Sequence, residues 1–84
     1  MIDYAQLRSL TARRLIAALL ADDFALRRQR GSHRHYRHRD GRRVTVSFHH
    51  ASDTFPPGTL RSMIEMQARW TESDLQRLGL LASN

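Results

Sequence analysis

The sequence predicts an α+β fold of order α-β-β-β-α. In it, a three-stranded antiparallel sheet carries helices on one face, and a short C-terminal helix follows. Three observations carry this prediction. Leu15, Ile16, Leu19 and Leu20 recur at i, i+1, i+4 and i+5, a single stripe on a helix. Val44, Val46 and Phe48 alternate with Thr45 and Ser47, the period of a strand with one apolar face. Asp40-Gly41 separates two alternating runs, as the turn of a hairpin does when positive φ is needed.

The elements follow in order. Residues 1–10 form a lead-in with Ile2, Tyr4, Leu7 and Leu10. Thr11 can cap a helix over about 12–21, because its hydroxyl can accept from a free N–H of the first turn. Asp22-Asp23 interrupts that helix, and Asp tolerates left-handed geometry better than most residues. Phe24 and Leu26 alternate with Ala25 and Arg27 in a first strand that ends before Gln29. In the second strand, His33 to His38, the residues His33, His35 and Arg37 share one face and Tyr36 lies on the other. Pairing puts Tyr36 on the side of the valines, so His33 and His35 face away from the core. A loop from His49 to Gly58 leads to a second helix, about 60–68, capped by Thr59 and carrying Leu60, Met63 and Ile64. Trp70 plugs the end of the core. Thr71 and Asp74 can open a short third helix with Leu75 and Leu78, which Gly79 ends.

Composition narrows the function. Eighty-four residues make one domain with a modest core. Cysteine is absent, which excludes a disulfide framework, a thiol nucleophile and a Cys-based zinc site, and fits a reducing cytoplasmic setting. The longest apolar run, Leu15 to Ala21, is seven residues, far too short to span a bilayer. No membrane partner is therefore expected.

Charge is the strongest signal. The formal net charge is +6, and every one of the 14 basic residues is Arg. A GC-rich genome or a need for bidentate phosphate contact can each account for the missing Lys. Neither composition bias nor chance explains the clustering: eight arginines fall between Arg27 and Arg43, around Gly31-Ser32-His33. Such a surface attracts a polyanion.

Specific strings then come into view. They are Thr11-Ala12-Arg13-Arg14-Leu15-Ile16, Arg28-Gln29-Arg30-Gly31-Ser32-His33, Tyr36-x-His38-x-Asp40-Gly41-Arg42-x-Val44-Thr45-Val46 and Pro57-Gly58-Thr59-Leu60-Arg61-Ser62. Together, over about residues 10 to 75, they resemble the HicA (YcfA-like) toxins of bacterial toxin–antitoxin pairs. The chain departs from the family at Asp22-Asp23-Phe24 and His38-Arg39-Asp40-Gly41, and Gly58 to Thr71 is about one residue longer than usual. The resemblance implies a double-stranded-RNA-binding-domain-like fold. It also implies a metal-independent endoribonuclease that cleaves mRNA in single-stranded regions and is silenced by a HicB-type antitoxin. The family's functional histidine corresponds to His33.

RNA carries its own nucleophile, the 2′-hydroxyl, so the protein must supply a base and positive charge. Histidine suits the base role because its ordinary pKa, about 6.5, lies near working pH. Gly31 permits close backbone approach to a phosphate, and Ser32 can add a donor. Arg30 and Arg34 flank His33 and can stabilise charge on the transition state. Arg28, Arg37, Arg42 and Arg43 complete the expected RNA-binding set, together with His35, which lies about 7 Å from His33 on the same strand face. His38 is expected at the strand surface and His49-His50 in a loop. His33 and His35 can chelate at i, i+2, but only Asp40 is a nearby carboxylate, so no metal and no other cofactor is expected. Two other readings use the same surface: a non-catalytic nucleic-acid-binding module, and an interaction subunit that meets an acidic protein.

Overall fold

A computed structural model describes residues 1–82. Helix α1 spans Ala12–Ala21, and the strands β1 (Phe24–Arg30), β2 (His33–His38) and β3 (Arg43–Ser47) follow. Helix α2 (Pro57–Arg61) runs directly into a π-helical turn, Ser62–Gln67, and α3 (Glu72–Arg77) comes last. The strands pair antiparallel in the order β1-β2-β3. The expected α-β-β-β-α order, with an open three-stranded sheet and an added C-terminal helix, is therefore the order adopted.

Local chemistry sets the element ends. The Thr11 hydroxyl accepts from the Arg14 N–H at 3.2 Å and caps α1. Asp23 ends the helix in the left-handed region at φ 67°. At α3, Thr71 and Asp74 form a reciprocal capping box. Gly79, at φ 76°, turns the chain back so that Leu80 N–H bonds to the Leu75 carbonyl at 2.8 Å. Both leucines are buried, which fastens this last helix to the core.

One core lies on the helix side of the sheet. Tyr36, Val44 and Val46 point into it, and Leu15, Leu19 and Ile64 meet them from the helices. Trp70 is buried there, as its apolar ring requires. The lead-in segment is part of the same core: Leu7 and Leu10 are nearly fully buried. Among the described residues no layer covers the opposite face of the sheet, and Ala25, Arg28, Arg30, His33, Arg37, Arg43 and Ser47 are exposed on it.

Three local expectations need correction. First, β1 does not stop before Gln29 but continues to Arg30, and Arg30 pairs with His33 across a two-residue turn. Gly31 has φ +58° in that turn and Ser32 has no positive φ, the pattern of a type II′ hairpin. Second, the β2–β3 turn is not a two-residue primed turn. Gly41 N–H bonds to the His38 carbonyl and His38 N–H bonds to the Arg42 carbonyl, so three residues form the loop. Only Gly41 takes positive φ, at +99°, as in a type I turn followed by a glycine bulge.

Third, the second helix starts at Pro57 rather than after a Thr59 cap, with proline at its first position, where no N–H is needed. From Ser62 onward the helix widens. Ala68 N–H reaches the Met63 carbonyl, five residues back, at 2.8 Å. A π turn takes up one residue more than an α turn, which accommodates the extra residue noted between Gly58 and Thr71. Gln67 latches this turn by donating to Ser62 Oγ at 3.1 Å. Its carbonyl oxygen accepts from the Thr45 N–H at 2.8 Å and so occupies a donor on the outer edge of β3.

Candidate nucleic-acid interface

The open sheet face is built by β2, with β1 and β3 on either side. His33 pairs with Arg30 on β1 and with Ser47 on β3, and cross-strand partners share a face. The ring of His33 is therefore exposed on the uncovered side, as parity predicts. His35 shares that face but is half-buried, and its Nδ1 lies 3.0 Å from the Thr45 hydroxyl. That bond fixes the ring and leaves Nε2 as its free polar atom. Arg37 sits directly opposite Arg43, and His35 opposite Thr45.

A β-bulge determines which arginines join this face. Simple alternation from Phe24 would send residues 24, 26, 28 and 30 to the core side. The β1–β2 register instead slips between Leu26 and Arg28, so Arg28 pairs with His35 and Arg30 with His33. The extra residue is Arg27. It lines a shallow cleft with His35, Arg37, Arg43 and Thr45. Arg27 keeps the outward side that alternation with Phe24 and Leu26 gives it, and the bulge adds Arg28 and Arg30 to that side. That shift was not legible in the sequence, because a bulge of this kind leaves no residue mark.

Electrostatics distinguish this face from the rest of the molecule. Among the described residues, no carboxylate lies within ion-pair distance of Arg27, Arg28, Arg30, Arg34, Arg37 or Arg43. Like charges directly opposite one another are unfavourable in a sheet, and Arg37–Arg43 is such a pair. A phosphate between them would relieve that repulsion. Asp23 lines a cleft with Arg27 and Arg37 but makes its ion pair with Arg39, at 3.5 Å.

Two expected contacts lie elsewhere. Arg34 is not beside His33 on the open face. It pairs with Gln29 and Val46 on the helix side, and its guanidinium stacks 4.8 Å above the Phe48 ring at the end of the sheet. Arg42 is tied into the fold. It donates to the Ala68 carbonyl at 2.7 Å and to the Asp40 carboxylate at 2.8 Å, lies 3.5 Å from Asp22, and packs over Phe24. Its side chain is 18% exposed, which leaves little of it for a ligand. Asp22 also accepts from the Trp70 indole at 2.8 Å and from Arg77 at 3.0 Å. His38, expected at the surface, is 14% exposed and sits edge-on to Phe24.

Gly31 and Ser32 form the turn beside His33, with Gly31 exposed and Ser32 half-buried, and a Cβ built on Gly31 meets nothing within 4 Å. The turn is therefore open to an approaching backbone. His49 and His50 lie in the predicted loop, where both N–H groups bond the Asp53 carboxylate. These bonds hold that carboxyl below its ordinary range. Among the described residues there is no group of three or more His, Asp or Glu side chains that could hold a metal ion. No helix among them is long and apolar enough to cross a membrane.

Comparison with known proteins bears directly on this face. No curated protein matches the chain. The family profile described as the HicA toxin of bacterial toxin–antitoxin systems matches residues 12–70, which include the whole sheet, the Gly31-Ser32-His33 turn and the π turn. With most of its length covered by that profile, the chain belongs to the HicA toxin family of bacterial toxin–antitoxin systems.

Proposed function

We propose that this toxin is an endoribonuclease that cleaves mRNA at the open sheet face, with His33 moving the proton. The observation that carries the reading is an exposed histidine on an open strand face, among arginines that have no carboxylate partner among the described residues. A surface of unneutralised guanidinium groups binds phosphate, and the ring nitrogen supplies what a pure binding surface lacks.

The chemistry requires no cofactor. His33 accepts the proton of a ribose 2′-hydroxyl, and that oxygen attacks the adjacent phosphorus. The bond from phosphorus to the 5′-oxygen breaks, the 5′-oxygen takes up a proton from water, His33 returns its own to solvent, and a 2′,3′-cyclic phosphate and a 5′-hydroxyl end remain. Arg28 and Arg30, on the neighbouring strand, offset the charge that builds on the phosphoryl oxygens. Arg37, Arg43 and Arg27 hold the strand farther along, roughly 13 Å from His33 by strand rise. His35, fixed by Thr45, is an RNA contact between the two. One general base contributes about 10²–10⁴-fold, which suits a slow nuclease acting on abundant message.

Membership in a toxin–antitoxin family implies an antitoxin partner. A HicB-type antitoxin that lays carboxylates over the same arginines would neutralise the charge and cover His33 in one step. Both partners meet their target where free proteins circulate, in the cytoplasm.

The test uses purified wild type and His33→Ala with a long single-stranded RNA in EDTA. Cleavage by wild type alone is the expected result. Equal RNA binding by both proteins, with cleavage by neither, overturns the nuclease reading and leaves an RNA-binding module. No RNA binding even at about 50 mM salt, where phosphate contacts are strongest, leaves a protein-interaction subunit.

A further inference from the structure

The cleft on the other side of the Gly31-Ser32 turn has no role in the chemistry above. It is lined by Gln29, Gly31, Ser32, Arg34, Phe48 and His49. We propose that this cleft is a base-recognition site that takes a purine next to the phosphate held at His33. The proposal rests on the reading that the open face binds RNA, and it adds a selectivity that this face by itself does not supply.

Three observations place a base there. First, Arg34 is held from below. Its guanidinium lies 4.8 Å over the Phe48 ring, and it has no carboxylate partner among the described residues. A guanidinium fixed by its face leaves its donor edge free for in-plane hydrogen bonds, and its upper face free for stacking. Second, Gln29 is the direct cross-strand partner of Arg34. Their side chains start about 5 Å apart on one sheet face, and the amide adds a donor and an acceptor to the arginine's donors. Among the described residues, the Gln29, Ser32, Arg34 and His49 side chains make no hydrogen bond to another protein group. Third, the cleft adjoins His33 through its chain neighbours, Ser32 and Arg34. Only the short turn at Gly31 separates it from the open face, and nothing stands within 4 Å above that glycine. A strand whose phosphates lie on the arginine face can therefore turn one base over the hairpin end.

The donor set selects the base class. Guanine offers N7 and O6 on one edge, the pair that arginine reads with two bonds. Adenine offers N7 and an amino group, the pair that an amide reads. In single-stranded RNA a pyrimidine offers the site only its Watson–Crick edge, whereas a purine offers that edge and the N7 edge as well. Arg34 and Gln29, reading the edge of one base in plane, therefore favour either purine over uracil or cytosine.

The test separates base choice from cleavage by using His33→Ala, which keeps the RNA intact. Its affinity is measured for a short uridine-only oligonucleotide and for the same chain with one central guanosine or adenosine, at about 50 mM salt. The purine-containing oligonucleotides should bind on the order of tenfold tighter. Adding Arg34→Ala, or the milder Gln29→Ala, should remove most of that gain. Circular dichroism confirms that each variant is folded. Equal affinity for all three oligonucleotides, or a purine preference that survives both substitutions, overturns the site. Absence of any RNA binding overturns it together with the nuclease reading. A purine preference without cleavage by wild type leaves the base site standing and removes the catalytic reading alone.

Discussion

Two arginine-rich regions of this small protein have opposite characters. On the open face, Arg27, Arg28, Arg30, Arg37 and Arg43 have no carboxylate partner among the described residues, and Arg37 faces Arg43 directly. On the helix side, Arg42 and Arg77 converge on Asp22, with Asp40 and Asp74 as further partners. One region stores unneutralised charge at some cost in stability. The other uses the same side chain to fasten the sheet to the segment after the π turn. The number of arginines in a sequence therefore does not measure a binding surface. The location of the acids does, because a paired guanidinium has already spent its donors.

Breaking each region should have a distinct outcome, and the largest lies at the open face. His33→Ala should lower RNA cleavage by about 10²–10⁴-fold, read as initial rate on a long single-stranded RNA, while the thermal melt stays near that of wild type. A melt lowered by many degrees would mean that the exposed ring carries structural weight which its surroundings do not suggest.

Next is the helix-side network. Arg42→Ala removes a bond to the Ala68 carbonyl, a bond to Asp40 and the charge beside Asp22. It should cost about 2–3 kcal/mol in denaturant unfolding, the range for losing charged hydrogen bonds from a mostly covered site. RNA affinity of the folded protein should change little. If affinity falls instead and stability holds, Arg42 belongs to the interface after all.

The open-face arginines should behave in the reverse way. Arg43→Gln relieves the repulsion with Arg37, so stability should hold or rise by a few tenths of a kcal/mol. RNA binding should weaken, and the slope of log affinity against log salt should drop by about 1 for the lost phosphate contact. A loss of stability from this change would show that the pair is compensated in a way its surroundings do not reveal.

The smallest effect is in pH. The Arg42 backbone N–H, followed by its guanidinium, holds the Asp40 carboxyl below its ordinary range. The Thr71 N–H does the same for Asp74. A depressed carboxyl stabilises the fold above its unfolded value, about pH 4, and that contribution is lost as pH falls through the lower folded value. The melting temperature should therefore decline below about pH 4. The decline should be shallower in Asp40→Asn, which has already lost its share.

Much of this architecture could be read from residue types. The alternation of Val44 and Val46, the Thr11 and Thr71 caps and the Gly79 stop each depend on a few neighbours, and each formed as expected, whereas of the helix stripe Leu15, Ile16 and Leu19 meet the core and Leu20 is exposed. The outward turn of His33 followed from the period of a strand. The placement of single arginines was less legible. Arg34 and Arg42 fall in the same basic run as Arg30 and Arg43, yet one stacks on Phe48 and the other bonds to Ala68. Their partners lie 14 and 26 residues away, beyond any local pattern.

The sequence alone determined the order of elements, the apolar face of each, the excess of positive charge and the exposed histidine beside a glycine turn. Those properties arise from backbone preference and side-chain period, which act over a few residues. The tertiary structure decided which arginines remain free. A bulge at Arg27 moved Arg28 and Arg30 onto the face of His33, and a π turn brought Gln67 to the edge of β3. It also set Asp22 within reach of Arg42, Arg77 and Trp70. Register and long-range pairing depend on how whole faces fit together, and a slip of one residue exchanges the two sides of a strand.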